Sequence, residues 1–271
     1  MSRRSPVLLA LLALVVAWSV GACGSSTPTP SLTDPKEILT KSIQTLKEIK
    51  TVHLQMDVSG QVKFDPSMLG LGGSSTPSGA TSSFDLKGTT AQGDIDIPNG
   101  KAHFSASVPA LLGLTADLIV IGDTTYLKAS LLGTKYQKST GASALPVPLP
   151  SGSPNEQAAI DQLNQALAKL STPPKLIGVE QIAGKPAYHV ELTVSQQDLG
   201  TALPSALTTV SGVTLDVWSY VDSLRPARLE LTGGDASTGT LDVVLTFTNY
   251  DQSVTIQAPP ADQVESSPAT G

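Results

Sequence analysis

Gly93–Ala129, GDIDIPNGKAHFSASVPALLGLTADLIVIGDTTYLKA, decides the fold class. Gly93 to Ile97 and Lys101 to Val108 flank Pro98-Asn99-Gly100, and Asn-Gly accepts the positive φ that a tight hairpin turn demands. Thr115 to Ile121 and Thr124 to Ala129 flank Gly122-Asp123, a second hairpin of the same kind. Two successive hairpins predict an antiparallel meander.

Working outward, Thr51 to Phe64 alternates, with Val52, Leu54, Met56 and Val58 on one face and His53, Gln55, Asp57 and Ser59 on the other. That is the period of a half-buried strand. Asp65 to Ser83 is rich in Gly, Ser and Pro and reads as a long mobile loop, with Phe84 to Leu86 opening the next strand. Tyr136 is expected on a further short strand. Leu176 to Ile182, Pro186 to Val194, Val213 to Val221, Ala227 to Leu231 and Thr240 to Tyr250 read as strands joined by short turns.

Two segments carry helical spacing instead. Asp34 is an N-cap, Pro35 the first helical residue, and Glu37 completes a capping box. Leu39, Ile43, Leu46 and Ile49 then form one stripe, and the helix is expected to end near Lys50. After the loop Gly141 to Pro154, Pro154-Asn155-Glu156 begins a second helix that ends near Leu170, on the stripe Ile160, Leu163, Leu167 and Leu170, stopped by Pro173-Pro174. Leu203 to Val210 reads as a short helix. About nine antiparallel strands and two amphipathic helices make an α+β fold with one curved sheet, the helices packed on its concave side.

Composition excludes several classes. The 271 residues carry 17 Lys+Arg against 23 Asp+Glu, a formal charge of -6, so no positive field awaits a nucleic acid. With 40% hydrophobic and only 15% charged residues, the chain is not wholly disordered. The single long apolar run is N-terminal: Arg3-Arg4 is followed by Val7 to Val20, then Gly21-Ala22-Cys23. That order is a lipoprotein signal peptide over residues 1–22, with an aliphatic residue and two small ones leading to the Cys that takes a diacylglycerol. Cys23 is the only cysteine, so the exported domain holds no disulfide. Residues 23–33 are expected to be a lipidated flexible tether, 34–261 a single domain and 262–271 a frayed tail. The protein is expected to be exported and anchored by lipid on Cys23 to the outer face of a bacterial plasma membrane, two acyl chains giving stable attachment.

Reactive chemistry is sparse. His53, His103 and His189 fall within strands without a second His or Cys at metal spacing, and are read as surface or sheet-edge residues. Asp94, Asp96 and Asp216 are read as solvated acids. No Gly-x-Ser-x-Gly occurs, and Gly184-Lys185 lacks the rest of a phosphate loop and fits a hairpin turn. No catalytic residue, metal or cofactor is expected. Only 4% of residues are aromatic. A deeply curved sheet so poor in bulky side chains leaves an under-filled apolar hollow unless the helices fill it. Val108 to Leu114 and Leu131-Leu132, apolar but punctuated by Pro and Gly, suit the rim of such a hollow; plain core packing is the alternative for each residue.

The C-terminal third, Val213-Thr214-Leu215-Asp216-Val217-Trp218, Arg225-Pro226-Ala227-Arg228-Leu229-Glu230-Leu231, Leu245-Thr246-Phe247-Thr248-Asn249-Tyr250-Asp251 and Val254-Thr255-Ile256-Gln257-Ala258-Pro259-Pro260, resembles the mycobacterial LppX/LprA/LprF/LprG lipoproteins, as does Asp117 to Tyr126 in the central hairpin. The insert at Gly70 to Ser83 departs from that pattern. The resemblance implies a strongly curved half-barrel like the LolA and LolB carriers, enclosing an apolar cavity for multi-acylated lipids or glycolipids moved from the plasma membrane toward the outer envelope. On that reading Leu39, Ile43 and Leu46, with Leu163 and Leu167, line the cavity from the helices. Phe104, Val108, Leu118, Val120 and Tyr126 line it from the sheet. The partners implied are an acylated lipid or glycolipid, the membrane, and a membrane lipid transporter; no nucleic acid is expected. The alternatives are an envelope scaffold or transporter-associated lipoprotein without lipid cargo, and an envelope hydrolase with an unrecognised site.

Overall fold

The computed structural model describes residues 30–64, 82–140, 156–194, 212–235 and 239–265. Two α-helices stand among them, α1 (Pro35–Thr45) and α2 (Glu156–Lys169). The strands are β1 (Thr51–Phe64), β2 (Ser82–Asp85), β3 (Thr89–Asp96), β4 (Lys101–Val108), β5 (Leu114–Ile121), β6 (Thr124–Ala129), β7 (Gln137–Thr140), β8 (Lys175–Ile182), β9 (Lys185–Val194), β10 (Val213–Tyr220), β11 (Pro226–Asp235) and β12 (Gly239–Thr248). Eleven lie side by side in one curved, unclosed antiparallel sheet, in the order β7-β6-β5-β4-β3-β1-β12-β11-β10-β9-β8, and β2 pairs with the end of β1. Every described stretch expected to be a strand contributes one. The described strands number twelve rather than about nine, the short segments near Phe84 and Tyr136 among them. The signal segment, Cys23, the loops at 65–81 and 141–155 and the helix expected at Leu203 to Val210 lie outside the described residues.

Both hairpins of Gly93–Ala129 form as their turns require. Gly100 and Gly122 adopt φ of +57° and +56°. The Asp96 carboxylate accepts from the Asn99 backbone N–H and side-chain amide, which fastens the first turn. Gly93 matters for a second reason. A Cβ there would stand 2.4 Å from Cδ1 of Phe104, its partner across the strands, so the missing side chain is what lets the Phe104 ring lie over β3.

Helix α1 starts as read, with the Asp34 carboxylate accepting from Lys36 N at 2.9 Å and Pro35 opening the helix. The capping box does not close, because Glu37 turns to Lys41 instead, at 2.8 Å. The buried face also differs: Ile38, Leu39 and Ser42 are buried, while Ile43 is half-buried. Ser42 suits that position because its hydroxyl meets the Ser219 hydroxyl of β10 at 3.0 Å. After a 3₁₀ turn at Leu46–Glu48 the chain enters β1.

The core is made of local clusters, and one of them, Ala187, Trp218, Tyr220 and Ala227, lies on the face away from the helices. Ile38 and Leu39 of α1 and Leu167 of α2 pack with Tyr188, Val190 and Leu192 of β9 and Val217 of β10. A second cluster, Ile49, Val52, Ile95 and Ala102, sits where the helical segment hands over to the sheet. Both chain ends are tied down further than expected. Ser31 N and Leu32 N donate to the buried Tyr188 hydroxyl at 2.9 and 3.1 Å, so the tether is pinned before residue 33. At the other end Tyr136 N donates to Gln263 O and Glu265 N to Tyr136 O, both at 2.8 Å, so ordered structure passes residue 261 and reaches Glu265.

Candidate functional site

Cross-strand partners share a face, so the register sorts the sheet into two sides. One side is apolar from β9 to β6. It carries Tyr188, Val190 and Leu192 on β9, Leu215 and Val217 on β10, Leu229 and Leu231 on β11, and Val243, Leu245 and Phe247 on β12. It continues through Leu54, Met56 and Val58 on β1, Ala91 and Ile95 on β3, Phe104, Ala106 and Val108 on β4, Leu114, Ala116, Leu118 and Val120 on β5, and Leu127 on β6. The helices pack chiefly against β9 and β10, with Leu176 of β8 and Leu229 of β11 at the margin, and Leu46 and Ile49 carry the packing on to Val52, Ile95 and Ala102. From β12 to β6 the apolar side chains are mostly half-buried.

The residues read as cavity lining divide accordingly. Phe104, Val108, Leu118 and Val120 stand together on this face, half-buried. Leu39 and Leu167 are packed into the helix–sheet core, with Ile43 at its margin. Leu46 joins the second cluster, and Leu163 points outward on α2 and is exposed. Tyr126 does not belong with them. It pairs with Ile119, whereas Leu118 pairs with Leu127, so Tyr126 stands on the opposite side. Val120 touches the Ile49–Val52–Ile95–Ala102 cluster. Val120→Trp is therefore expected to overpack that cluster and destabilise the fold by about 1–3 kcal/mol in urea denaturation. An unchanged midpoint would assign Val120 to the open part of the face.

The other side is polar and more organised than solvated strands require. His53 meets Asp94 at 2.8 Å and His103 meets Asp117 at 3.1 Å. Asp117 also accepts from the Tyr136 hydroxyl at 2.9 Å, and burial with this bond pushes the Tyr136 pKa up to about 12. His189 is neither at the surface nor at the edge: its side chain is 12% exposed, with Nδ1 at 2.9 Å from Glu180 and Nε2 at 2.7 Å from Asp216. Its ring stacks on Trp218 at 4.1 Å between centroids, and Trp218 Nε1 donates to Glu180 at 2.9 Å. The Arg228 guanidinium lies over the indole and pairs with Glu230. Asp94, Asp96 and Asp216 are thus bonded rather than merely solvated. Both ring nitrogens of His189 are engaged by carboxylates. Among the described residues no group of three or more His, Cys, Asp or Glu could hold a metal. A hollow of about 800 Å³ opens on this side, lined by Thr90, Gln92, Ser105, Ser107, Asp117 and Lys128 among others.

Two carboxylates link this framework to pH. Glu180 is held below the ordinary glutamate range, first by the Trp218 N–H and then by His189. Asp251 is lowered first by the Lys50 backbone N–H, then by Arg225 at 2.6 Å. A folded pKa below the unfolded one gives stability that is complete above the unfolded value and is lost as pH falls through the folded one. Thermal melts from neutral into acid pH should therefore show a falling Tm, with a shallower fall in Asp251→Asn. Parallel acid limbs would remove Asp251 from that linkage.

A family model described as LppX_LprAFG lipoprotein matches residues 34–256. No curated protein matches the chain. Among solved structures, LprF from Mycobacterium bovis aligns with a TM-score of 0.51 at 18% identity, over 83% of this chain and 96% of its own. The Mycobacterium tuberculosis lipoprotein LppX aligns at 0.49 and 16%, over 82% and 98%. A LolA superfamily protein from Nitrosomonas europaea aligns at 0.24 and 12%, over 85% and 97%. The likeness to LprF is one of fold.

Proposed function

The chain belongs to the LppX_LprAFG lipoprotein family, and from that premise we propose that it is a membrane-tethered carrier of multi-acylated lipids or glycolipids. Cargo acyl chains lie along the apolar face from β12 to β6, and the protein takes them from the plasma membrane toward the outer envelope. Attachment is through lipid on Cys23, and a membrane transporter is the natural next partner. The observation that carries this reading is the apolar side of the sheet, whose side chains from β12 to β6 are mostly half-buried rather than packed into the helix–sheet core. Withdrawing a sixteen-carbon chain from a bilayer costs about 12 kcal/mol, at roughly 0.8 kcal/mol per CH₂. A broad apolar face meets that cost by contact along the whole chain, and curvature of the sheet around the cargo would complete the enclosure. No described helix is long and apolar enough to cross a membrane. The reading assigns no catalytic step.

Native mass spectrometry of the chain starting at Gly24, purified from an actinobacterial host, tests it. A stoichiometric multi-acylated lipid is the expected result. A clean apo mass with no uptake of offered lipid would turn the reading to a scaffold.

A further inference from the structure

Six large apolar side chains stand exposed among the described residues, and three of them share one end of the sheet. Leu112 is 97% exposed, Leu131 62% and Leu132 51%. Leu112 lies in the turn between β4 and β5, and Leu131 and Leu132 in the turn between β6 and β7. These strands are neighbours, so both turns emerge together, and Ser130 N donates to Thr115 O at 2.9 Å where the second turn leaves the first. The remaining three, Leu163, Ile177 and Val179, belong to α2 and β8.

The first turn is built to hold its leucine out. Leu111 N bonds to Val108 O, Gly113 N to Pro109 O and Leu114 N to Leu111 O, at 3.0–3.1 Å. They fix Leu112 at φ +54°, a left-handed conformation that costs a residue with a side chain conformational energy. A leucine kept in strained backbone and almost wholly in water gives the fold nothing in return, which points to a contact outside the chain.

We propose that this leucine tip docks the protein on a lipid bilayer, with Leu112, Leu131 and Leu132 entering the headgroup boundary. Two features choose a bilayer over a protein. Side chains on narrow turns fall well short of the roughly 800 Å² per partner of a standard protein interface, whereas lipid closes around whatever enters it. The tip is also continuous with the apolar face, because Val108 and Leu114, the residues flanking the first turn, pair with each other at the end of that face. An acyl chain leaving the bilayer at the tip meets that face directly. The tether is pinned at Tyr188, toward the other end of the strands, so docking does not depend on the anchor. The purpose of the tip rests on the carrier reading; its geometry does not.

The chain from Gly24 keeps every described strand, both helices and the Tyr188 contact, and is the form to test. It is expected to cosediment with phosphatidylcholine vesicles, with little response to salt. Leu112→Gly with Leu131→Ser and Leu132→Ser should weaken partition by a hundredfold or more, at roughly tenfold per leucine. Leu112→Gly alone should lose about tenfold while Tm holds or rises, because glycine relieves the strained φ and the loss cannot be misfolding. Equal partition of the parent and triple variants, no partition of the parent, or a leucine-dependent dimer in place of partition would overturn the proposal. Lipid uptake from detergent micelles, read by native mass spectrometry, separates the two readings. A triple variant that loads from micelles but ignores vesicles supports the tip, and a parent that docks but never loads removes the carrier while the tip stands.

Discussion

Leu118→Asp is expected to yield a folded protein that no longer co-purifies with lipid. Leu118 sits in the middle of the uncovered part of the apolar face, between Phe104 of β4 and Leu127 of β6, and is half-buried. A carboxylate there remains hydrated in the empty protein, so the fold survives. Under a bound acyl chain it would be desolvated with no partner, at a cost of several kcal/mol. Loading should fall by about a hundredfold or more, since every 1.4 kcal/mol is tenfold. Thr115→Asp is the matched control. It puts the same charge on the same strand but on the polar side, where Thr115 is exposed, and its lipid content should equal the parent's. Native mass spectrometry of both variants reads the difference, and equal loading of the two would falsify the assignment of cargo to this face.

The largest stability effect should come from Trp218→Ala. The indole is buried on the polar side, stacked on His189, bonded to Glu180 and capped by Arg228. Its removal is expected to cost about 3–5 kcal/mol in urea denaturation, from lost burial and the cavity left behind. It also strips Glu180 and the Arg228 guanidinium of their shared neighbour. Trp218→Phe keeps a stacking ring and loses only the N–H donor, so roughly 1 kcal/mol is expected. Neither change touches the apolar face, and lipid content per folded molecule should be unaltered. A Trp218→Ala protein as stable as the parent would mean that the His189–Trp218–Arg228 stack is a surface ornament.

Much of the sheet is legible in the residues alone. Alternation over Thr51 to Phe64 and the turns at Asn99-Gly100 and Gly122-Asp123 are local signals, and each element forms where its residues put it. The side taken by Tyr126 is legible too, against its reading as cavity lining, because a two-residue turn at Gly122-Asp123 pairs Ile121 with Thr124 and therefore Ile119 with Tyr126. The His189–Trp218–Glu180 group is not legible. Its members come from three strands, and only the β8-β9-β10 order and the register shift between Leu176 and Gly178 bring them within reach. Ile38 falls outside a stripe that begins at Leu39; burial of Ser42 against Ser219 rotates the helix toward Ile38.

By itself the sequence determined the identity of the strands, the cap of α1, the alternation of polar and apolar faces along them, and the lipoprotein family resemblance, while strand ends such as those of β3 and β11 run up to four residues past the expected bounds. These depend on turn chemistry, hydrogen-bonding side chains and period, all of which act over a few residues. The tertiary structure alone decided which part of the apolar face the helices cover, and that Val108 to Leu114 and Leu131-Leu132 stand at one tip. Apolar burial is non-directional: an amphipathic helix must cover something, but its stripe does not say which of eleven strands it will meet. That choice falls to the short link from α1 into β1 and to the Tyr188 hydroxyl that pins Ser31 and Leu32 over β9.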